Sequence, residues 1–162
     1  RCNVTDIIGD VIRREGGSTT TNDPNDAGGR TQYGISEHSH PEAWADHKVT
    51  EAEARAIYET KYLKGPGFDK VLDERLQALL VDWAVHSGPY LVVTALQKAL
   101  GTAQDGILGP QTLEAMGKYH PLEIRLLLVS ERIKMIGRIV QKNPSQIKWL
   151  SGWINRATEF LV

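Results

Sequence analysis

Glu15-Gly16-Gly17, followed by Asn22-Asp23-Pro24-Asn25-Asp26-Ala27-Gly28-Gly29-Arg30-Thr31-Gln32-Tyr33-Gly34-Ile35, is the stretch on which the reading of this chain turns. Upstream of it, Val4, Ile7, Ile8, Val11 and Ile12 recur at i, i+3, i+4, i+7 and i+8, the single apolar face of an amphipathic helix. Asn3 or Thr5 is the expected cap, and Gly16-Gly17 supplies the positive φ at which a helix stops. Glu15 therefore closes the helix at its partially negative end. The dipole there disfavours a carboxylate and favours its protonated form, which is what a general acid needs. A solvated glutamate is the commoner fate of such a residue taken alone. The loop that follows raises Glu15 above that.

From Ser18 to Gly34 the chain holds almost no aliphatic side chain, although apolar segments bound it on both sides. Its Asn-Asp-Pro, Asn-Asp and Gly-Gly steps are turn punctuation, and residues 19–22 and 30–33 are expected to pair as two short strands. A long polar loop inside a compact domain is usually functional or disordered. Here it brings Asp23, Asp26, Thr31 and Tyr33 within reach of a helix-end Glu. Tyr33 follows Thr31 by two, so a strand would turn both toward the cleft that Glu15 lines. Two carboxyls flanking a cleft are the equipment for glycosidic bond hydrolysis. Asp26, which precedes Gly28-Gly29, is preferred as the second carboxylate; Asp23, just before Pro24, is better placed as a turn former.

Glu-Gly-Gly, then Asn-Asp-Pro-Asn-Asp-x-Gly-Gly-x-Thr-x-Tyr-Gly-Ile, resembles the signature of muramidase-type phage endolysins in glycoside hydrolase family 108. Val81-Asp82-Trp83-Ala84-Val85-His86-Ser87-Gly88-Pro89 is similar to that family's central helix, with His86 standing where an Asn is expected. Leu96-Gln97-Lys98-Ala99-Leu100-Gly101, Asp105-Gly106-Ile107-Leu108-Gly109-Pro110-Gln111-Thr112-Leu113 and Gly152-Trp153-Ile154-Asn155-Arg156 resemble its predicted peptidoglycan-binding half. The resemblance implies an enzyme that cuts the glycan backbone between N-acetylmuramic acid and N-acetylglucosamine to lyse a host cell. Glu15, Asp26 and Thr31 would then be catalytic, Thr31 orienting the water. Tyr33, Asp23, Tyr62 and His86 would bind substrate. The partner would be bacterial peptidoglycan, with no cofactor and no metal. It also implies synthesis in a host cytoplasm and action on the peptidoglycan of the periplasm. A lytic transglycosylase, which needs the acid but no activated water, and a non-catalytic wall-binding module are the competing readings.

Composition agrees with a single soluble domain, and a monomer is expected. At 162 residues and 41% hydrophobic, it is long enough to bury about two-thirds of its unfolded surface. No stretch reads as a transmembrane helix or a signal peptide. The lone Cys2 excludes an internal disulfide. Residues 1–117 carry 11 Lys/Arg against 17 Asp/Glu, and residues 118–162 carry 8 against 3. That basic end (Arg125, Arg132, Lys134, Arg138, Lys142, Lys148 and Arg156) offers weak contact with an anionic envelope. Solvated helix faces pairing with Glu123, Glu131 and Glu159 explain it more simply. Nucleic acid is not indicated, since no phosphate loop, metal-spaced Cys set or nuclear-type basic run occurs. His38, His40 and His47 raise zinc chemistry, but their spacing on a loop beside Pro41 fixes no pair of ligands.

The rest of the chain reads as helices. Thr50 and Glu53 form a capping box for a helix to about Leu63. Asp73 caps the next, with Leu76, Leu79, Leu80, Trp83 and Ala84 in the core. Pro89, Pro110 and Pro121 each open another. The Pro121 helix runs through Leu126, Val129, Ile133, Ile136 and Val140, and the last carries Ile147, Leu150, Ile154, Ala157 and Leu161. Tyr58, Trp83, Trp149 and Trp153 are read as packing, and Tyr62 as facing the cleft. The expected fold is mainly α, a lysozyme-like helical domain with one small β-hairpin. Residues 1–70 would form a catalytic lobe and 71–162 a helical lobe, packed as one globular domain.

Overall fold

The first helix, α1 (Ile7–Arg14), starts at Asp6, whose carboxylate accepts the Gly9 N–H at 2.9 Å in a computed structural model that describes residues 6–22 and 28–162. The cap is therefore Asp6 rather than Asn3 or Thr5, which with Val4 and Cys2 lie outside the described residues. Ile7, Ile8, Val11 and Ile12 are buried, as the spacing requires. The helix stops in a Schellman arrangement: Gly17 N–H donates to Ile12 O at 3.0 Å and Gly16 N–H to Arg13 O at 3.3 Å. Gly16 and Gly17 take φ of 100° and 59°, conformations that a side chain disfavours.

Thr50 and Glu53 form the expected capping box of α2 (Glu51–Tyr58). Asp6 grips Arg55 of this helix through two bonds of 3.0 and 2.8 Å, so one carboxylate both caps α1 and ties it to α2. The expected helix to about Leu63 is helical to its end but changes type after Tyr58. Glu59–Lys64 form a wider π-helical turn, closed by Gly65 N–H donating to Thr60 O at 2.8 Å.

Strands β1 (Thr31–Gln32) and β2 (Ile35–Ser36) pair antiparallel, Thr31 opposite Ser36 and Gln32 opposite Ile35. The expected pairing of residues 19–22 with 30–33 survives only as one bridge between Thr21 and Thr31, with N–H to O distances of 2.8 Å both ways. The chain reverses at Tyr33 (φ 53°) and Gly34 (φ 76°), two successive positive φ values of the kind a tight two-residue hairpin demands. Ile35 is buried beneath it, and the Trp44 indole N–H donates to its carbonyl at 3.2 Å. Arg30 lies 4.9 Å from the Trp44 ring centre and makes a two-point pair with Glu37.

The chain divides into two compact units, Arg1–Gly65 and Pro66–Val162. The second unit contains α3 (Glu74–Ser87), α4 (Pro89–Leu100), α5 (Pro110–Met116), α6 (Pro121–Lys142) and α7 (Leu150–Thr158). Asp73 caps α3 through the Leu76 N–H, and Leu76, Leu79, Leu80, Trp83 and Ala84 are buried as expected. The described residues thus make a mainly helical, lysozyme-like fold with one two-stranded hairpin.

Three expectations for the basic end are overturned. Arg132 and Arg156 are not on solvated faces. Both bind Asp82, which is wholly buried on α3, with contacts of 2.9 Å each. Arg125 is also buried and donates to Phe160 O at 2.9 Å. The inward stripe of α6 is consequently Ile124, Arg125, Leu128, Val129, Arg132 and Ile136, while Leu126 is half exposed. Ile147 and Trp149 stand in solvent instead of packing. Residues Pro144–Trp149 form a 3-10 helix, whose three-residue period throws a 3.6-period stripe off the core.

Two stability outcomes follow from these contacts. Asp82→Asn leaves two arginines on a weakened acceptor, one of them buried, and should lower unfolding free energy by about 3–5 kcal/mol in denaturant titration. Asp6→Ala should lose about 1 kcal/mol with the cap. The Arg55 guanidinium and then the Gly9 N–H hold the Asp6 carboxyl below the ordinary Asp range. Its contribution is therefore full above about pH 4 and vanishes as pH falls through its folded pKa. The gap in stability between parent and Asp6→Ala should be constant near neutrality and close in acid.

Candidate functional site

Glu15 is half-buried at the C-cap of α1, with the hairpin turn laid against its side chain. A Cβ placed on Gly34 would stand 2.7 Å from Glu15 Cβ and 3.1 Å from its Cγ, and would also collide with the Tyr58 hydroxyl. The backbone of the turn thus touches the stem of Glu15 at a distance that only glycine allows. Two hydrogen bonds hold it there. Tyr33 N–H donates to Gly17 O at 3.0 Å, tying the turn to the helix end, and Tyr58 OH donates to Tyr33 O at 2.8 Å, tying it to α2.

Tyr58 is buried, as expected, but packing is only half of its role; its hydroxyl also positions the turn. A buried Tyr needs a partner for its O–H, which is the one sequence signal that pointed beyond packing. Its ring meets that of Tyr62 with centroids 5.9 Å apart and planes at 37°. Tyr62 lies on the π-helical turn, half-buried, with Lys61 Nζ 5.4 Å from its ring centre. Glu15, Gly34, Tyr33, Tyr58 and Tyr62 therefore form one connected cluster in the first unit.

Thr31 is half-exposed on β1, its backbone N–H and C=O both used by Thr21. Its neighbour Gln32 points the other way, donating to Ser18 O at 3.1 Å and accepting the Val49 N–H at 3.0 Å. Tyr33 does not share a strand face with Thr31. It occupies the turn at positive φ, where strand alternation no longer applies. Asp23 and Asp26 lie outside the described residues.

His86 belongs to the second unit, near the end of α3, with Nδ1 3.4 Å from an Arg132 guanidinium nitrogen. It borders an open cleft that is also lined by Met135, Ile139 and Trp153. Among the described residues no three His, Cys, Asp or Glu side chains gather as metal ligands. The Asp105-Gly106 turn is explained by its own bonding. The buried Gln97 amide donates to Asp105 at 2.7 Å, Ile107 O at 3.0 Å and Thr112 at 3.1 Å, and accepts the Gly106 N–H at 2.9 Å. Asp105 and Thr112 are thereby used within the fold.

Comparison with known proteins identifies the family. Residues 8–88 match the family described as glycosyl hydrolase 108, and residues 92–158 match the one described as "Predicted Peptidoglycan domain". The solved structure of Brucella abortus SagA is 30% identical, with a TM-score of 0.67, covering 95% of this chain and 92% of that chain. No curated protein sequence matches. With residues 8–88 matched by the one family and residues 92–158 by the other, the chain belongs to glycosyl hydrolase family 108 and is a glycoside hydrolase of the peptidoglycan-related kind.

Proposed function

We propose that the protein is an N-acetylmuramidase that cleaves the peptidoglycan backbone between N-acetylmuramic acid and N-acetylglucosamine, as a phage endolysin does in lysing its host. The observation that carries this reading is Glu15 held against Gly34. A carboxyl at the negative end of a helix, shielded on one side by a turn, is suited to holding a proton and delivering it to a glycosidic oxygen. As that proton transfers, the C1–O bond breaks and positive charge develops at C1. Water adds at C1 and gives up its own proton to Asp26, leaving a reducing end.

Thr31 supports the placing of that water, since its hydroxyl makes no hydrogen bond with another described residue. Tyr33 and Tyr62 offer a sugar one half-exposed ring each, and Asp23 a further acceptor. His86 is included as a substrate contact of the second unit, a hydrogen-bonding ring in place of the expected Asn. Single displacement with inversion is the course we assign, because a water between two carboxyls needs the wider spacing of about 6.5–9.5 Å. A lytic transglycosylase would use Glu15 without that water and leave a 1,6-anhydro end.

Glu15→Gln keeps the shape and loses the proton, so clearing of permeabilised Gram-negative cells should drop by ~10²–10⁴-fold with circular dichroism unchanged. Asp26→Asn should be far more harmful than Asp23→Asn in the same assay. Mass analysis of the parent's products should show reducing ends; 1,6-anhydro ends would replace hydrolysis by transglycosylation. Gly34→Ala should displace the Glu15 stem and reduce activity on the order of 10²-fold. Gly101→Ala meets a similar φ of 69° with nothing within 4 Å. It should share the backbone strain yet retain activity, so that strain and misplacement of Glu15 are separated.

A further inference from the structure

Residues 132–158 contain six Lys or Arg and no Asp or Glu. Three of those cations are already engaged: Arg132 and Arg156 lie against Asp82, and Lys134 pairs with Glu131. Lys142 and Lys148 are exposed and form no ion pair with any described residue, whereas Arg138 lines a different cleft, together with Glu131.

Apolar side chains also stand in solvent along this stretch of chain. Ile139 is 39% exposed, Ile147 64% and Trp149 53%. Ile139 and Lys142 are three residues apart on α6 and share a face. Lys148 Nζ sits 5.2 Å from the centre of the Trp149 ring. Trp149 immediately precedes α7 and lies one turn from Trp153, which lines an open cleft together with Ile139. The apolar surface thus runs from Ile139 past Trp153 to Trp149, with cations along it.

Scattered exposed apolar residues need no explanation, but a connected set beside uncompensated cations marks a contact surface. A nucleic-acid track would use the cations and gain nothing from Ile139 and Ile147. A bilayer surface uses both: phosphates attract the cations, and Trp and Ile settle at the boundary between headgroup and acyl chain. We propose that this face docks on an anionic phospholipid bilayer, with Lys142 and Lys148 at the phosphates and Ile147 and Trp149 inserted at the headgroup boundary.

The test sediments the full chain with vesicles of phosphatidylcholine alone and of phosphatidylcholine mixed with phosphatidylglycerol, in about 0.1 M salt. Binding should require the anionic lipid. The pair Lys142→Glu with Lys148→Glu should weaken it by about tenfold or more, with helicity confirmed by circular dichroism. Should the Glu pair disturb the helix end, Lys142→Gln with Lys148→Gln carries the same test. Trp149→Ala should weaken binding while leaving its dependence on anionic lipid. Equal binding to both vesicle types, or lysine variants that bind like the parent, would overturn the proposal. So would duplex DNA that displaces the protein from vesicles as well as added vesicles do, since the face would then be a general polyanion surface.

Discussion

The hydroxyl of Tyr58 donates to the carbonyl of Tyr33 across a sequence separation of 25 residues, and the geometry of the first unit depends on where that bond places the hairpin turn. By energy it is an ordinary hydrogen bond, worth about 1 kcal/mol net. Its importance is positional. Together with the Tyr33 N–H donated to Gly17 O, it pins the turn between the end of α1 and the body of α2. Gly34 is then pressed against Glu15, and the absence of a side chain there is a condition of the contact. The π-helical turn after Tyr58 carries Tyr62 beside it, so a helix irregularity and a loop glycine contribute to one cluster. Irregular helical turns of this kind recur at functional sites.

In the second unit the corresponding constraint is electrostatic. Asp82 has no solvent exposure and receives Arg132 from α6 and Arg156 from α7, so one carboxylate links three helices. Burying these charges costs desolvation, which the paired geometry offsets only because every bond is short. The arrangement also explains why the formal charge of the last 45 residues overstates the charge seen at the surface. Two arginines that look like surface cations in the sequence turn inward onto Asp82, Arg132 buried and Arg156 partly so.

Polar satisfaction separates what is spoken for from what remains outward-facing. Gln97 saturates the Asp105-Gly106 turn and Thr112, so these residues are accounted for by folding alone. No carboxylate among the described residues pairs with Lys142 or Lys148, and Ile147 and Trp149 stand largely in solvent.

Much of this was legible in the sequence wherever a local rule governs the outcome. The apolar period of α1, its Gly-Gly stop, the Thr50–Glu53 box, the Asp73 cap and the proline helix starts all depend on residues within a turn or two of one another. Glu15 at a helix end was legible for the same reason, as was the family, whose motif is a contiguous run. Long-range partners were not. Tyr58 finding Tyr33, Arg55 finding Asp6 and two arginines finding Asp82 are pairings across 25 to 74 residues, decided by which faces pack together. Sequence spacing assigned Arg132 and Arg156 to nearby glutamates because helical neighbours are all it can see. It likewise put Tyr33 on a strand face, because alternation does not reveal that Tyr33-Gly34 would adopt positive φ and become the turn. Local chemistry thus set the elements and the helix-end position of Glu15, and tertiary packing alone decided which backbone and which rings would surround it, since only the folded chain brings distant faces within hydrogen-bonding range.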